Sequence, residues 1–111
     1  MKPLKEAGSC STDLQAAYDY YKTYNPEAAE RFLEAYSAAV KIISQTPEIC
    51  RVRQHEWRQM VMRRYPGYSI FYKEFPDFWL IGGVLSTLRD PDMILANLLI
   101  REISEDENIS E

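Results

Sequence analysis

Five prolines divide this chain before any other feature is weighed. They stand at positions 26, 47, 66, 76 and 91, beside Asn25, Thr46, Gly67, Asp77 and Asp90. Proline fixes φ and lacks a backbone N–H, so it opens or ends an element and is excluded from its middle. Periodicity says what lies between them. Leu14, Ala17, Tyr18 and Tyr21 recur at the spacing of one helix face. Asn25-Pro26 stops that helix and starts the next, with Asn25 as N-cap and Pro26 in the first turn. Ala29, Phe32, Leu33, Tyr36, Val40 and Ile43 make the stripe of the second helix. Thr46-Pro47 ends it, because a residue before proline is pushed out of the helical region. So short a connection makes an antiparallel helical hairpin.

After Pro47 the period changes. Residues 58–62, 68–73 and 78–86 read as strands, punctuated by Pro66-Gly67 and Pro76-Asp77. Loops this short join antiparallel neighbours. Asp90-Pro91 then opens a third helix over 91–103. The expected fold is α+β: an N-terminal antiparallel helical hairpin packed on a small antiparallel sheet, a three-stranded meander, with a C-terminal helix. Residues 3–7 are the candidate for a fourth, N-terminal strand, although Pro3 and Gly8 flank it and β-formers are few. One domain would span 1–103. SEDENISE, residues 104–111, has almost nothing to bury and is read as a disordered acidic tail.

The bulk properties exclude several function classes. At 111 residues the chain supports one modest core. It has no apolar run long enough to span a membrane, and the N-terminus lacks the apolar centre of a signal peptide. The cytoplasm is the expected compartment, with Cys10 and Cys50 as reduced thiols. His55 is the only histidine, which argues against a His-rich metal site or a Ser-His-Asp triad. There is no glycine-rich phosphate loop. Gly82-Gly83 lies inside a strand pattern and reads as relief of crowding under a helix. Ser9, Ser11 and Thr12 precede a helix and read as capping candidates. Glu27 and Glu30 read as solvated on a helix surface. No catalytic residue, cofactor or metal ligand is indicated.

What remains is charge, arginine and aromatic rings. The net charge is −4, but the last eight residues hold four acids and no base, so the body is neutral. Between positions 51 and 64, Arg51, Arg53, Arg58, Arg63 and Arg64 face only Glu56. Such a ribbon is either a solvated strand surface paired to helix acids or a surface for an acidic partner. On the middle strand Tyr68, Ile70 and Tyr72 point to the core, and Ser69, Phe71 and Lys73 point the other way. MILANLLIREI, residues 93–103, is apolar on more than one helix face. It is either deeply buried or partly covered by another chain. Arg89, past the last strand, is placed to fork onto a carboxylate or phosphate, or to tie the strand end to the next loop.

The order of DLQAAYDYY, NPEAAERFLEAY, TPEICR, then Arg58 and Arg64 leading into YPGYSIFY, then VLSTLRDP resembles the RelE/ParE superfamily of toxins, in its ParE-like branch. The resemblance covers about residues 12–93 and implies a small toxin of a bacterial type II toxin–antitoxin (plasmid stabilisation) pair, wrapped by a cognate antitoxin. ParE-like members are inhibitors of DNA gyrase, and RelE-like members cut mRNA on the ribosome. The nucleases alternate basic residues where this chain has Met60 and Met62, carry arginine where it has Ser69 and tyrosine where it has Leu95; Arg89 is retained. Losing those cations removes most of what stabilises charge on a cleaving phosphodiester. A neutral body is also a poor ribosome binder. The resemblance therefore implies action by protein binding, without direct nucleic-acid contact. Arg58, Arg63, Arg64 and Arg89, with Leu95, Leu98 and Leu99 of the apolar helix, are the candidate contacts to antitoxin or target. A RelE-like nuclease and a non-toxic binding module are the alternatives. An absent N-terminal strand would leave a sheet edge open to a second copy or to an antitoxin strand.

Overall fold

The computed structural model describes residues 2–65, 67–88 and 90–109, and of Gln54 and residues 103–109 the backbone alone. Strand β1 (Leu4–Glu6) leads into helix α1 (Ser9–Tyr24) and helix α2 (Pro26–Gln45). Two 3-10 turns, Pro47–Ile49 and Gln54–Glu56, lead to β2 (Trp57–Val61), β3 (Tyr68–Glu74) and β4 (Trp79–Ser86). Helix α3 (Pro91–Ile109) closes the order.

The punctuation works as the sequence reading expects. Asn25 Oδ1 accepts from the Glu27 N–H at 2.9 Å, with Pro26 in the first turn of α2. Asp90 Oδ1 accepts from the Asp92 N–H at 2.9 Å at the start of α3. The cap of α1 differs: Gly8 holds that place and no side chain caps it. Ser9 and Ser11 lie inside the helix, and the Ser11 hydroxyl donates back to the Gly8 carbonyl at 3.2 Å. A serine one position later is already helical and cannot act as the cap.

The sheet has four strands in the order β1-β4-β3-β2. β2, β3 and β4 form the antiparallel meander, and β1 adds parallel to β4, pairing Leu4 with Trp79 and Glu6 with Ile81. The sheet is therefore mixed, and the N-terminal strand exists despite its flanking Pro3 and Gly8. Pro3 sits outside the ladder and uses only its carbonyl, which accepts from the Trp79 N–H at 2.9 Å.

Both faces of the sheet are covered. The helical hairpin lies on the face of Tyr68, Ile70 and Tyr72. Tyr21, Phe32, Tyr65 and Tyr68 form a ring cluster there, and the Tyr72 hydroxyl donates to the Pro47 carbonyl at 2.7 Å. Helix α3 lies on the other face, with Ile94 and Leu98 buried. Ser69 and Phe71, read from sequence as pointing away from the core, are thus buried as well, Ser69 completely. Alternation assigned their face correctly but could not say that a later helix covers it. Helix α3 also runs six residues past its expected end at 103, into the segment read as a disordered tail. No glycine or proline interrupts it after Pro91, and its acids are tolerated helix formers.

Glycines make the α3 face possible. A Cβ on Gly82 would stand 2.6 Å from the Trp57 ring, and one on Gly83 2.1 Å from Arg101 Nη1. The sequence reading of this pair as relief of crowding is correct. Gly82→Ala is expected to cost about 1–3 kcal/mol through overpacking against a buried ring. Gly8→Ala, in helical backbone with open space around it, is expected to be neutral or to stabilise by up to about 1 kcal/mol. Urea unfolding of the two variants checks both.

The same core holds Cys10, whose Sγ lies 3.2 Å from the Ile81 carbonyl. Burial, and then the nearby Asp13 and Glu6 charges, push its thiol up to about 12. Burial likewise raises the Tyr36 hydroxyl. Groups whose folded pKa is raised favour the native state below their unfolded value and lose that contribution as pH rises through the folded value. Urea midpoints are therefore expected to fall as pH climbs from about 9 towards 12, and Cys10→Ala to flatten that fall.

Candidate functional site

The two edges of the sheet are not equivalent. The outer edge of β4 is closed as far as Val84. β1 covers its first half, the Ala7 N–H donates to the Ile81 carbonyl at 2.9 Å, and Asp13 Oδ2 accepts from the Val84 N–H at 3.0 Å. The outer edge of β2 is only partly closed. The strand's start is met by an antiparallel bridge from Val52 to Arg58 and by the Arg53 N–H donating to the Trp57 carbonyl at 2.7 Å. The Met62 N–H donates to the Tyr68 carbonyl, so by alternation Arg58, Met60 and Met62 turn their peptide groups to β3. Those of Gln59 and Val61 point outward; the bridge from Val52 to Arg58 sets the Gln59 N–H against the Arg51 carbonyl, and beyond it the edge is uncovered at Val61 by any described residue.

The bridge at the start of β2 depends on a strained turn. His55 has φ 54° and ψ 32°, and Glu56 has φ 66°. Left-handed backbone costs about 1–2 kcal/mol for a residue with a side chain. Two such residues in succession fold Val52-Arg53 back along β2 and hold Arg51 and Arg53 at the strand's start. Both arginines are exposed, as are Arg63 and Arg64 in the turn at its far end. None of the four has an ion-pair partner among the described residues.

Between this edge and α3 lies a groove of about 640 Å³. It exists because α3 packs chiefly over β4, and β2 is two strands away. Trp57, Gln59 and Phe71 supply the sheet side, Ile94, Leu95 and Leu98 the helix side, and Arg51 and Arg53 the rim. Trp57 is 2 % exposed and its indole N–H is buried without a hydrogen-bond partner. Leaving such a donor unpaired costs about 1–3 kcal/mol. Ser69 is engaged: its hydroxyl accepts from Gln59 Nε2 at 3.0 Å.

The seven candidate contacts from sequence separate. Arg58 serves the fold: Nη1 donates to the Cys50 carbonyl at 2.6 Å and the guanidinium lies 5.3 Å from the Trp79 ring centre. Leu98 is core, at 2 % exposure against Gly82 and Trp57. A strand alternation and a helix stripe cannot tell such residues from surface ones when their face is covered from elsewhere in the chain. Leu95 and Leu99 are half-buried, and Arg63 and Arg64 are exposed. Arg89 lies outside the described residues. Arg51, Arg53 and Trp57 were not among the candidates. Their sequence signal is the density of arginine from 51 to 64, but only the reversal at His55-Glu56 joins them to the edge of β2.

The helix wall of the groove is held by ion pairs that no sequence pattern announces. Arg101 forks onto Asp13, Nη1 to Oδ2 at 2.7 Å and Nη2 to Oδ1 at 3.0 Å, and also donates to the Gly82 carbonyl at 3.1 Å. Lys73 pairs with Glu102.

The pattern of the ParE toxin of type II toxin–antitoxin systems (parDE) matches residues 8–91. The chain belongs to the ParE toxin family. Its fold is also that of a solved chain from a chromosomal ParDE toxin–antitoxin system of P. aeruginosa. That match has a TM-score of 0.70 at 22 % identity and covers 78 % of this chain and 96 % of the other. No curated protein matches the sequence. No helix among the described residues is long and apolar enough to cross a membrane.

The family match ends at residue 91, so the helix wall from Asp92 onward lies outside it. Asp13→Asn is expected to lower stability by about 2–4 kcal/mol, since it strands a largely buried guanidinium. It is also expected to raise amide exchange across α3 more than across α2, as read by hydrogen exchange.

Proposed function

We propose that this ParE-family protein is the toxin of a type II pair, neutralised in the cytoplasm by a cognate antitoxin, and that it acts by binding a protein target, of which DNA gyrase is the leading one. The observation that carries the binding reading is the state of Ser69. It stands where a RelE-like nuclease would hold an arginine, and it is sealed beneath α3 with its hydroxyl committed to Gln59. Met62, which stands where the nucleases carry a basic residue, is 3 % exposed on the opposite face of the sheet, beside Tyr68. A scissile phosphate would meet neither a cation nor a proton donor there, and both are needed for ribose-assisted cleavage. The exposed arginines lie instead around an open sheet edge, which is chemistry for a protein partner. The name of the structural neighbour, a ParDE toxin–antitoxin system, supports the pairing with an antitoxin.

Induced expression in bacteria, with and without the small gene beside this one, tests the reading. Growth arrest relieved by the neighbour, with gyrase–DNA cleavage complexes accumulating, is the expected outcome. Arrest with cut mRNA on ribosomes would move the assignment to the nuclease class. Unimpaired growth at high expression would leave a binding module without toxicity.

A further inference from the structure

We propose that the end of the molecule where α1 finishes and β2 turns into β3 is a docking surface for a folded partner protein, one that offers an apolar depression with carboxylates on its rim. That this partner is the toxin's target rests on the reading above; the chemistry of the surface does not.

Three large side chains with apolar bodies stand in water at this end. Tyr20 is 53 % exposed, Tyr24 75 % and Leu88 89 %. The fold gathers them. The Tyr20 ring lies 5.3 Å from both Tyr21 and Tyr24, and Tyr21 lies 4.9 Å from Tyr65 in the turn between β2 and β3. Tyr68 at the start of β3 pairs with Ser86, and the Thr87 N–H donates to the Gly67 carbonyl at 2.8 Å, so Leu88 leaves the sheet at that same turn. Arg63 and Arg64 directly precede Tyr65 and are exposed. The outer rings are also held in place. Tyr20 and Tyr24 meet edge to face, and Tyr20 leans on Tyr21, which is anchored between Phe32 and Tyr65. Rings ordered in advance lose little freedom on binding, and tyrosine and arginine are the usual anchors of protein interfaces.

Charge and shape define the occupant. The acids around the rings are engaged within the hairpin. Asp19 accepts from Gln15 Nε2 at 2.9 Å, Glu27 pairs with Arg31, and Glu30 accepts from the Tyr18 hydroxyl at 2.9 Å. Arg63 and Arg64 have no ion-pair partner among the described residues. The complement is therefore a surface that brings carboxylates. Leu88 and Tyr24 project, so they fill a depression, which a folded domain provides. Nucleic acid fits less well, because two arginines beside Asp19 and Glu27 make no track for successive phosphates. A second copy, meeting this patch through a two-fold axis, would bring the same arginines to face it.

Photo-crosslinking in growing bacteria tests the proposal, with p-benzoylphenylalanine in place of Tyr24 in the full-length chain. One discrete adduct with a protein is expected, and mass spectrometry of the joined peptides is expected to find a carboxylate-bearing segment at the contact. Arg63→Glu with Arg64→Glu is expected to reduce the adduct by about tenfold or more. The same label in place of Ser44, exposed at the far end of α2, is expected to give none. Tyr20→Ala with Leu88→Ala is expected to weaken binding to the crosslinked protein, once purified, by about tenfold or more. All these changes fall on exposed side chains, so circular dichroism should report an unaltered fold. The absence of an adduct, an adduct indifferent to the charge reversal, a crosslinked homodimer, or capture by a single-stranded oligonucleotide or an anionic vesicle in place of a protein would each overturn the proposal. The growth test is independent. A chain that gives the adduct without arresting growth keeps the surface and loses the toxin reading, and an adduct with a protein other than gyrase keeps the surface and loses gyrase as the target. A chain that arrests growth but gives no adduct keeps the toxin reading and loses the surface.

Discussion

The Arg101–Asp13 pair sits where three layers of the molecule meet. Asp13 comes from the first turns of α1, Arg101 from the middle of α3, and the peptide groups between them from β4. One carboxylate accepts the guanidinium fork and also the Val84 N–H, so it closes a strand edge and anchors a helix together. The arrangement requires glycine at 83, because any side chain would occupy the place of the guanidinium. It equally requires glycine at 82, where the Trp57 ring fills the same layer from the other side. Polar interactions at a buried junction contribute little when summed but cost much when half removed. The position of α3 is set this way, and the groove is the space that position leaves uncovered.

Much of this architecture was legible in the sequence because it is written in local chemistry. Asn25-Pro26, Thr46-Pro47 and Asp90-Pro91 each mark a boundary that the folded chain respects. The strands were found within a residue at each end from alternation and turn residues. What could not be read was long-range. The pairing of Leu4 with Trp79 leaves no mark on a three-residue strand. The Asp13–Arg101 pair joins residues at opposite ends of the chain. The burial of Ser69 depends on a helix that begins more than twenty residues later.

The candidate site shows the same division with the opposite balance. Arginine density pointed to the right region, yet the individual choices were mixed. Arg58 is tied to the Cys50 carbonyl, and Leu98 is core. Arg51 and Arg53 matter because two left-handed residues fold their segment back on β2. Neither His55 nor Glu56 is a residue type that signals a tight reversal, so no turn rule would have placed it. Strain of this kind survives only where neighbouring contacts hold it, here the bridge between Val52 and Arg58.

The parallel strand at the start of the chain carries a consequence for the order of folding. β1 is made more than seventy residues before its ladder partner, residues 79–81. During synthesis the helical hairpin has all of its own sequence early and can form from local contacts. The sheet cannot gain its fourth strand, nor α1 its hold on Val84, until most of the chain has been made. Closure of the sheet is thereby deferred until β4 has been made. A growing chain would present separate helices and an incomplete meander, and the finished arrangement of edge, groove and arginines would arise only once α3 has followed β4.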